Sequence, residues 1–234
     1  FVSQKRRSLI VQRMTYSVVS GKSILHFTSD IDEKVKTNGY NHFAETEKDS
    51  TGCRTQVRVK TDNNDTIWLA STALGKGIRF QETENHTLES ETSLQEGESI
   101  FVLKLSAVCT SRDQEGGAGF DKLAAELALP EDSWKMLFQE NQNEWESLWE
   151  QAEIQIEGDE EAQRAVNFSI YHLLRSASQT DDRIAVCAKG FAGEAYFGHF
   201  FWDTELYLLP FFLYNFPATA KNLTAFRLRT LEGA

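Results

Sequence analysis

From Phe1 to about Cys109 the apolar residues come in short runs separated by Gly, Asn, Asp and Ser, and no helical period is sustained. The pattern predicts strands over Leu9 to Tyr16, Ser23 to Thr28, Thr55 to Lys60, Thr66 to Ser71, Ile78 to Glu82, Thr87 to Thr92 and Ser99 to Cys109. Val57 and Val59 alternate with Gln56, Arg58 and Lys60, as in a strand with one wet face. Ile100-Phe101-Val102-Leu103 is a continuous apolar run suited to a strand covered on both sides. Asp62-Asn63-Asn64-Asp65 and Gly75-Lys76-Gly77 supply turns, and strands at such intervals suggest a sandwich, here a partial one.

Three glycines in the polar stretch Gln114 to Gly119 resist both helix and strand and mark a domain boundary. Beyond it the period lengthens. Asp121 to Leu129 and Asp132 to Gln151 read as helices joined at Pro130, with Asp132 or Ser133 able to cap the second. Trp134, Leu137, Phe138, Trp145, Leu148 and Trp149 share a face of that second helix, opposite a glutamate-rich side. Such spacing favours packing over a sugar-stacking surface. After an extended segment, Glu153 to Glu157, the acidic run Gly158-Asp159-Glu160-Glu161 starts a long helix, since negative charge is favoured at a helix N-terminus. Its stripe of Ala162, Val166, Ile170, Leu173, Leu174 and Ala177 runs through Ser178. Thr204 to Asn215 is helix-like but apolar nearly all round, which implies deep burial, and Pro217-Ala218-Thr219 opens a final helix towards Leu231. The resulting division is a β domain over 1–113, a helical linker over 114–152 and a helical domain over 153–234.

Composition changes this picture little. A length of 234 residues, 41% hydrophobic and 25% charged, with 3 prolines, is that of a globular protein able to bury a sizeable core. The net charge of -11 argues against a general affinity for nucleic acid or an anionic membrane, and Lys5-Arg6-Arg7 is only a short local basic run. No apolar run is long enough to span a membrane. The 3 cysteines, Cys53, Cys109 and Cys187, are far apart with no metal-ligand spacing, which fits a reducing, cytoplasmic setting. Sequons at Asn64, Asn85, Asn167 and Asn222 read as chance occurrences, because Asn167 lies within a helical pattern and no signal peptide is visible.

Candidate chemistry concentrates between residues 190 and 217, where 11 of the 27 aromatic residues fall together with Glu194, His199, Asp203 and Glu205. Charges set among aromatics need a partner or a ligand. Trp202-Asp203 pairs an indole, which packs on the C–H face of a pyranose, with a carboxylate that accepts hydrogen bonds from two adjacent hydroxyls. His199 can donate to a hydroxyl or hold Asp203. The competing account is that Asp203 caps the helix at Thr204 while the aromatics fill a core. A metal at His199, Asp203 and Glu205 lacks a recognised ligand spacing. A Glu194–Asp203 acid/base pair would need carboxyls about 5–10 Å apart, and a Cys187–His199 nucleophile pair conflicts with the apolar run around Cys187.

The stretch Gly193-Glu194-Ala195-Tyr196-Phe197-Gly198-His199-Phe200-Phe201-Trp202-Asp203-Thr204-Glu205, followed by Leu209-Pro210-Phe211, closely resembles the start of the catalytic domain of glycoside hydrolase family 65. That family contains maltose, kojibiose, nigerose and trehalose phosphorylases and acid trehalases. Trp145-x-x-x-Trp149, the acidic helix start and Tyr171-His172-Leu173-Leu174 follow the family's order. Ala195, Phe191-Ala192 and Glu232 depart from its pattern without touching the Trp-Asp pair.

The resemblance implies a partial N-terminal β-sandwich, a helical linker and the beginning of an α/α six-hairpin barrel, truncated in this chain. It implies that Trp202, Asp203, His199 and Glu205 bind substrate, with Trp202 and Asp203 lining the subsite of the non-reducing glucosyl unit. The catalytic glutamic acid is expected beyond residue 234. The implied reaction is inverting phosphorolysis of an α-linked glucose disaccharide to β-glucose 1-phosphate, with inorganic phosphate as co-substrate, no metal or organic cofactor, and commonly a homodimer. Its rivals are an acid-trehalase-type hydrolase and a non-catalytic carbohydrate-binding module.

Overall fold

The computed structural model describes residues 1–36, 39–113, 119–191, 196 and 199–233. They form two compact units, Phe1–Glu144 and Trp145–Ala234. The expected domain boundary falls on residues 114–118, outside the described residues.

Eight strands build the first unit: β1 (Leu9–Ser17), β2 (Lys22–Ser29), β3 (Phe43–Ser50), β4 (Arg54–Thr61), β5 (Thr66–Leu74), β6 (Gln81–Glu82), β7 (Leu88–Gln95) and β8 (Ser99–Thr110). They make a five-stranded sheet, β1-β8-β5-β4-β3, and a three-stranded sheet, β2-β7-β6, with every pairing antiparallel. Because side chains alternate across a strand, β8 serves two cores. Leu103, Leu105, Ala107 and Cys109 pack with Leu9 and Val11 of β1 and with Leu123, Leu127 and Leu137 from helices α1 (Phe120–Leu127) and α2 (Trp134–Ala152). Ile100 and Val102, on the other face, meet Phe27, Ile78, Phe80 and Leu88, which joins the two sheets face to face. The apolar run in β8 is therefore covered on both sides, as expected of it.

Two strand expectations change. β3, Phe-Ala-Glu-Thr-Glu-Lys-Asp-Ser, carries no apolar alternation because it is an edge strand. Charge on such an edge discourages pairing with other chains. Here the charges also pair across the ladder, Glu47 with Arg58 at 2.5 Å and Glu45 with Lys60 at 3.9 Å. Ile78 to Glu82 shortens to the two residues of β6, since a turn from Gly75 to Ile78 frees Ile78 and Phe80 to fill the intersheet core.

Helix α2 packs as its spacing suggested: Leu137 is buried, and Trp134 stacks on Phe138 with centroids 5.5 Å apart. Phe138 itself is half exposed. Ser133 does not cap α2 through its oxygen; its hydroxyl donates to the carbonyl of Pro130. Within the first unit Gln4 N–H donates to Asn141 Oδ1 at 3.0 Å, and Arg6 forms a two-pronged pair with Glu140 at 2.9 and 3.0 Å. That guanidinium holds the Glu140 carboxyl below the usual carboxylate range, chiefly by its hydrogen bond.

In the second unit α3 (Glu160–Leu174) starts where the acidic run places it, with Asp159 accepting from the amides of Glu161 and Ala162 at 3.1 and 2.9 Å. It ends at Leu174 rather than Ser178, because the amide and hydroxyl of Ser176 turn back onto the carbonyl of Leu173. A short strand β9 (Ala188–Phe191), helix α4 (Leu209–Asn215) and helix α5 (Pro217–Thr230) follow. Their core gathers Ile170, Leu174, Val186, Phe212, Phe216, Leu223 and Phe226, with Trp145, Leu148 and Trp149 packed against it. No helix among the described residues is long and apolar enough to cross a membrane.

Candidate functional site

Within the motif, residues 199–201 are irregular chain and helix follows from Thr204. Phe200 turns inward, its ring edge-on to Phe226 of α5 at 4.9 Å. The next residues turn out: Trp202 is 65% exposed, and Asp203 is exposed as well. Thr204 is buried and its hydroxyl donates to the carbonyl of Val186 at 3.4 Å, tying the start of the helix to the preceding segment.

Thr204 to Asn215 is not one regular helix. Residues Thr204–Leu208 form a π-helical turn, closed by the amide of Leu209 on the carbonyl of Thr204, and α4 continues from it. Widened turns of this kind often mark functional sites, since the extra residue re-aims side chains. Here Trp202 and Tyr207 come to the same side with ring centroids 6.4 Å apart and planes inclined by 35°. Tyr207 is 67% exposed, so the two rings share an open face, and Asp203, next to Trp202 in the chain, is exposed as well. The expected deep burial of this stretch is overturned. Phe212 is 2% exposed, whereas Tyr214 is 84% exposed, because the described residues cover only one side of the helix.

Asp203 does not cap its helix: it stands at the N-cap position in αR conformation with no side-chain capping bond. The capping account of this residue therefore fails, and no capping bond occupies its acceptor oxygens. His199 is not bonded to Asp203. Its Nδ1 lies 2.7 Å from the carbonyl of Tyr196, and because a carbonyl only accepts, Nδ1 carries the hydrogen. In that tautomer Nε2 is the acceptor. Tyr196 holds a left-handed φ of 62°, an uncommon backbone state.

Glu205 has a protein partner. Arg227 of α5 reaches it with Nε at 2.7 Å from Oε1 and Nη2 at 2.9 Å from Oε2. The same guanidinium donates from Nη1 to the carbonyl of Phe200 at 3.3 Å and from Nη2 to that of Phe201. Sequence reasoning found neither Arg227 nor Tyr207. Arg227 lies 22 residues from Glu205 on another helix, and Tyr207 reads as one more apolar position until the π-turn rotates it outward.

Of the remaining candidates, Glu194 lies outside the described residues. Cys187 is half-buried, and all three cysteines are free thiols. Among the described residues no group of three His, Cys, Asp or Glu side chains gathers to hold a metal ion.

Residues 1–148 match the glycosyl hydrolase family 65 N-terminal domain, and residues 167–234 match the central catalytic domain of the same family. The chain is 39% identical over 155 residues to a kojibiose phosphorylase of Halothermothrix orenii, covering 63% of this chain and 20% of that protein. It is 46% identical over 101 residues to a nigerose phosphorylase of Lachnoclostridium phytofermentans, covering 43% of this chain and 13% of that protein. A solved structure provisionally described as a kojibiose phosphorylase from human microbiome superposes with a TM-score of 0.83 at 22% identity, over 99% of this chain and 32% of that one, which establishes a shared fold. The matched stretches thus span a fifth or less of these curated relatives. The two family matches, with a β-sheet unit followed by helices, place the chain in glycosyl hydrolase family 65.

Proposed function

We propose that residues 1–234 belong to a disaccharide phosphorylase and that Trp202 and Asp203 grip the non-reducing glucosyl unit of its substrate. The carrying observation is the exposed indole beside a carboxylate that its own helix does not use. The indole supplies an apolar platform for the C–H face of the ring, and the carboxylate takes hydrogen bonds from two hydroxyls, which together fix the position of the sugar. His199 is close in sequence and offers Nε2 to a further hydroxyl. Tyr207 extends the aromatic face. Glu205 takes part in this site through Arg227.

The reaction in this proposal is inverting phosphorolysis. An oxygen of inorganic phosphate attacks the anomeric carbon as the bond to the leaving glucosyl oxygen breaks, and a glutamic acid beyond residue 234 donates its proton to that oxygen. An α-glucoside thereby yields β-glucose 1-phosphate and a free sugar. The substrate is an α-linked glucose disaccharide of the kojibiose, nigerose, maltose or trehalose type. The reading draws support from relatives that act on kojibiose and nigerose by phosphorolysis.

The test is to incubate the complete gene product with each of the four disaccharides, with and without orthophosphate. Phosphate-dependent release of β-glucose 1-phosphate from one of them is the expected result. Glucose release without phosphate would replace this reading with a hydrolase, and no turnover of any disaccharide would replace it with a binding module.

A further inference from the structure

We infer that Glu205 and Arg227 form a positioning pair that sets the orientation of Trp202 and Asp203, so that Glu205 serves glucosyl binding without touching the sugar. This rests on the sugar-site reading above and deepens it. Both carboxylate oxygens of Glu205 are engaged by one guanidinium, in the two-pronged geometry that fixes a planar fork most firmly. What that fork holds next is backbone: its other donors go to the carbonyls of Phe200 and Phe201, the two residues immediately before Trp202. These carbonyls precede the first turn of the helix, where no ladder of intrahelical bonds fixes the chain. The segment carrying the indole is thus tied on one side to the π-turn through Glu205 and on the other to α5.

Three further observations agree. Phe226, next to Arg227, packs against Phe200, so α5 presents its arginine at a fixed place. Arg227 stands in the last turn of α5, where the helix dipole favours a cation. Finally, the two side chains are about a third exposed, at 31% and 34%, where an ion pair adds little to stability. A four-bond junction at such exposure matters more for geometry than for folding free energy.

Lysine cannot substitute, because an ammonium lacks the planar fork that serves a carboxylate and two carbonyls together. In the complete enzyme Arg227→Lys should raise KM for the disaccharide, and the dissociation constant of β-glucose 1-phosphate, about tenfold, with kcat changed less than about twofold, the signature of lost ground-state and transition-state binding alike. Glu205→Gln, which keeps one acceptor oxygen, should move both in the same direction by less. The double variant should be no worse than Arg227→Lys alone, because the two residues act as one device. Melting temperature is read alongside. If Arg227→Lys does not fold, Glu205→Gln carries the test. Unchanged KM and product affinity in the folded variants, or a fall in kcat and melting temperature at constant KM, overturns the inference while leaving the sugar site standing if Asp203→Ala still abolishes binding. If Asp203→Ala binds sugar normally, the site reading itself falls.

Discussion

The two units treat their apolar residues differently. In Phe1–Glu144 each face of the inner strand β8 meets a partner, helices on one side and the second sheet on the other, and exposed apolar residues such as Val19, Ile24 and Tyr40 lie far apart along the chain. In Trp145–Ala234 a single core lies on one side of α4, and the exposed residues Phe201, Trp202, Leu206, Tyr207, Leu213 and Tyr214 cluster along the motif and the helix that follows it. Scattered exposed side chains are ordinary, whereas a contiguous apolar patch marks a surface that meets something. The first unit is thus organised for its own stability. The second leaves an apolar surface open among the described residues.

Phe212→Ala tests that contrast most severely. Phe212 is buried in the core of the second unit, and its truncation should cost about 3–5 kcal/mol, read as a lowered unfolding temperature in calorimetry of the complete protein. A cost below about 1 kcal/mol would mean that this unit has no firm core behind its open face. Leu105→Ala in the first unit should fall in the neighbouring range of about 2–5 kcal/mol, so the units differ in surface and not in core quality.

A smaller effect concerns pH. Glu140 has its folded pKa depressed by Arg6, with Lys5 adding to the effect. A carboxyl of this kind contributes stability above its unfolded pKa of about 4.3 and loses it as pH falls through the lower folded value. Glu140→Gln should therefore be destabilised by at most about 1 kcal/mol at pH 7, with wild type and variant converging as the solution is acidified below pH ~4. A difference that persists unchanged at low pH would assign the effect to packing. Tyr214→Ser, two residues from Phe212 and 84% exposed, should change stability by less than about 0.5 kcal/mol. A large loss there would show that the outer face of α4 is covered in the complete protein.

Most strands were legible because alternation survives where one face is buried, as in Val57 and Val59, although Gln56, expected on the wet face beside them, is buried too. β3 was not, since an edge strand held by cross-strand charge pairs has no apolar face to announce it. Trp202 and Asp203 stand out in the sequence because an indole beside a carboxylate suits a sugar and because the motif resembles a family, and they are the residues the proposed sugar site rests on. The exposure of Tyr207 beside Trp202 was not legible, because it depends on a π-turn that residue periodicity does not encode. Nor was the partner of Glu205. An arginine on a later helix reads as an ordinary last-turn cation until the fold brings it within 2.7 Å.

Asp203→Ala in the complete enzyme is the most direct measurement. Two sugar hydroxyls left without an acceptor should together cost about 2–6 kcal/mol, at about 1–3 kcal/mol each, which is a fall in kcat/KM of roughly 30-fold to somewhat over 10⁴-fold. The melting temperature should stay near that of wild type, because the carboxylate makes no capping bond to lose. Near-normal kcat/KM in this variant would contradict the assignment of Trp202 and Asp203 as the glucosyl grip.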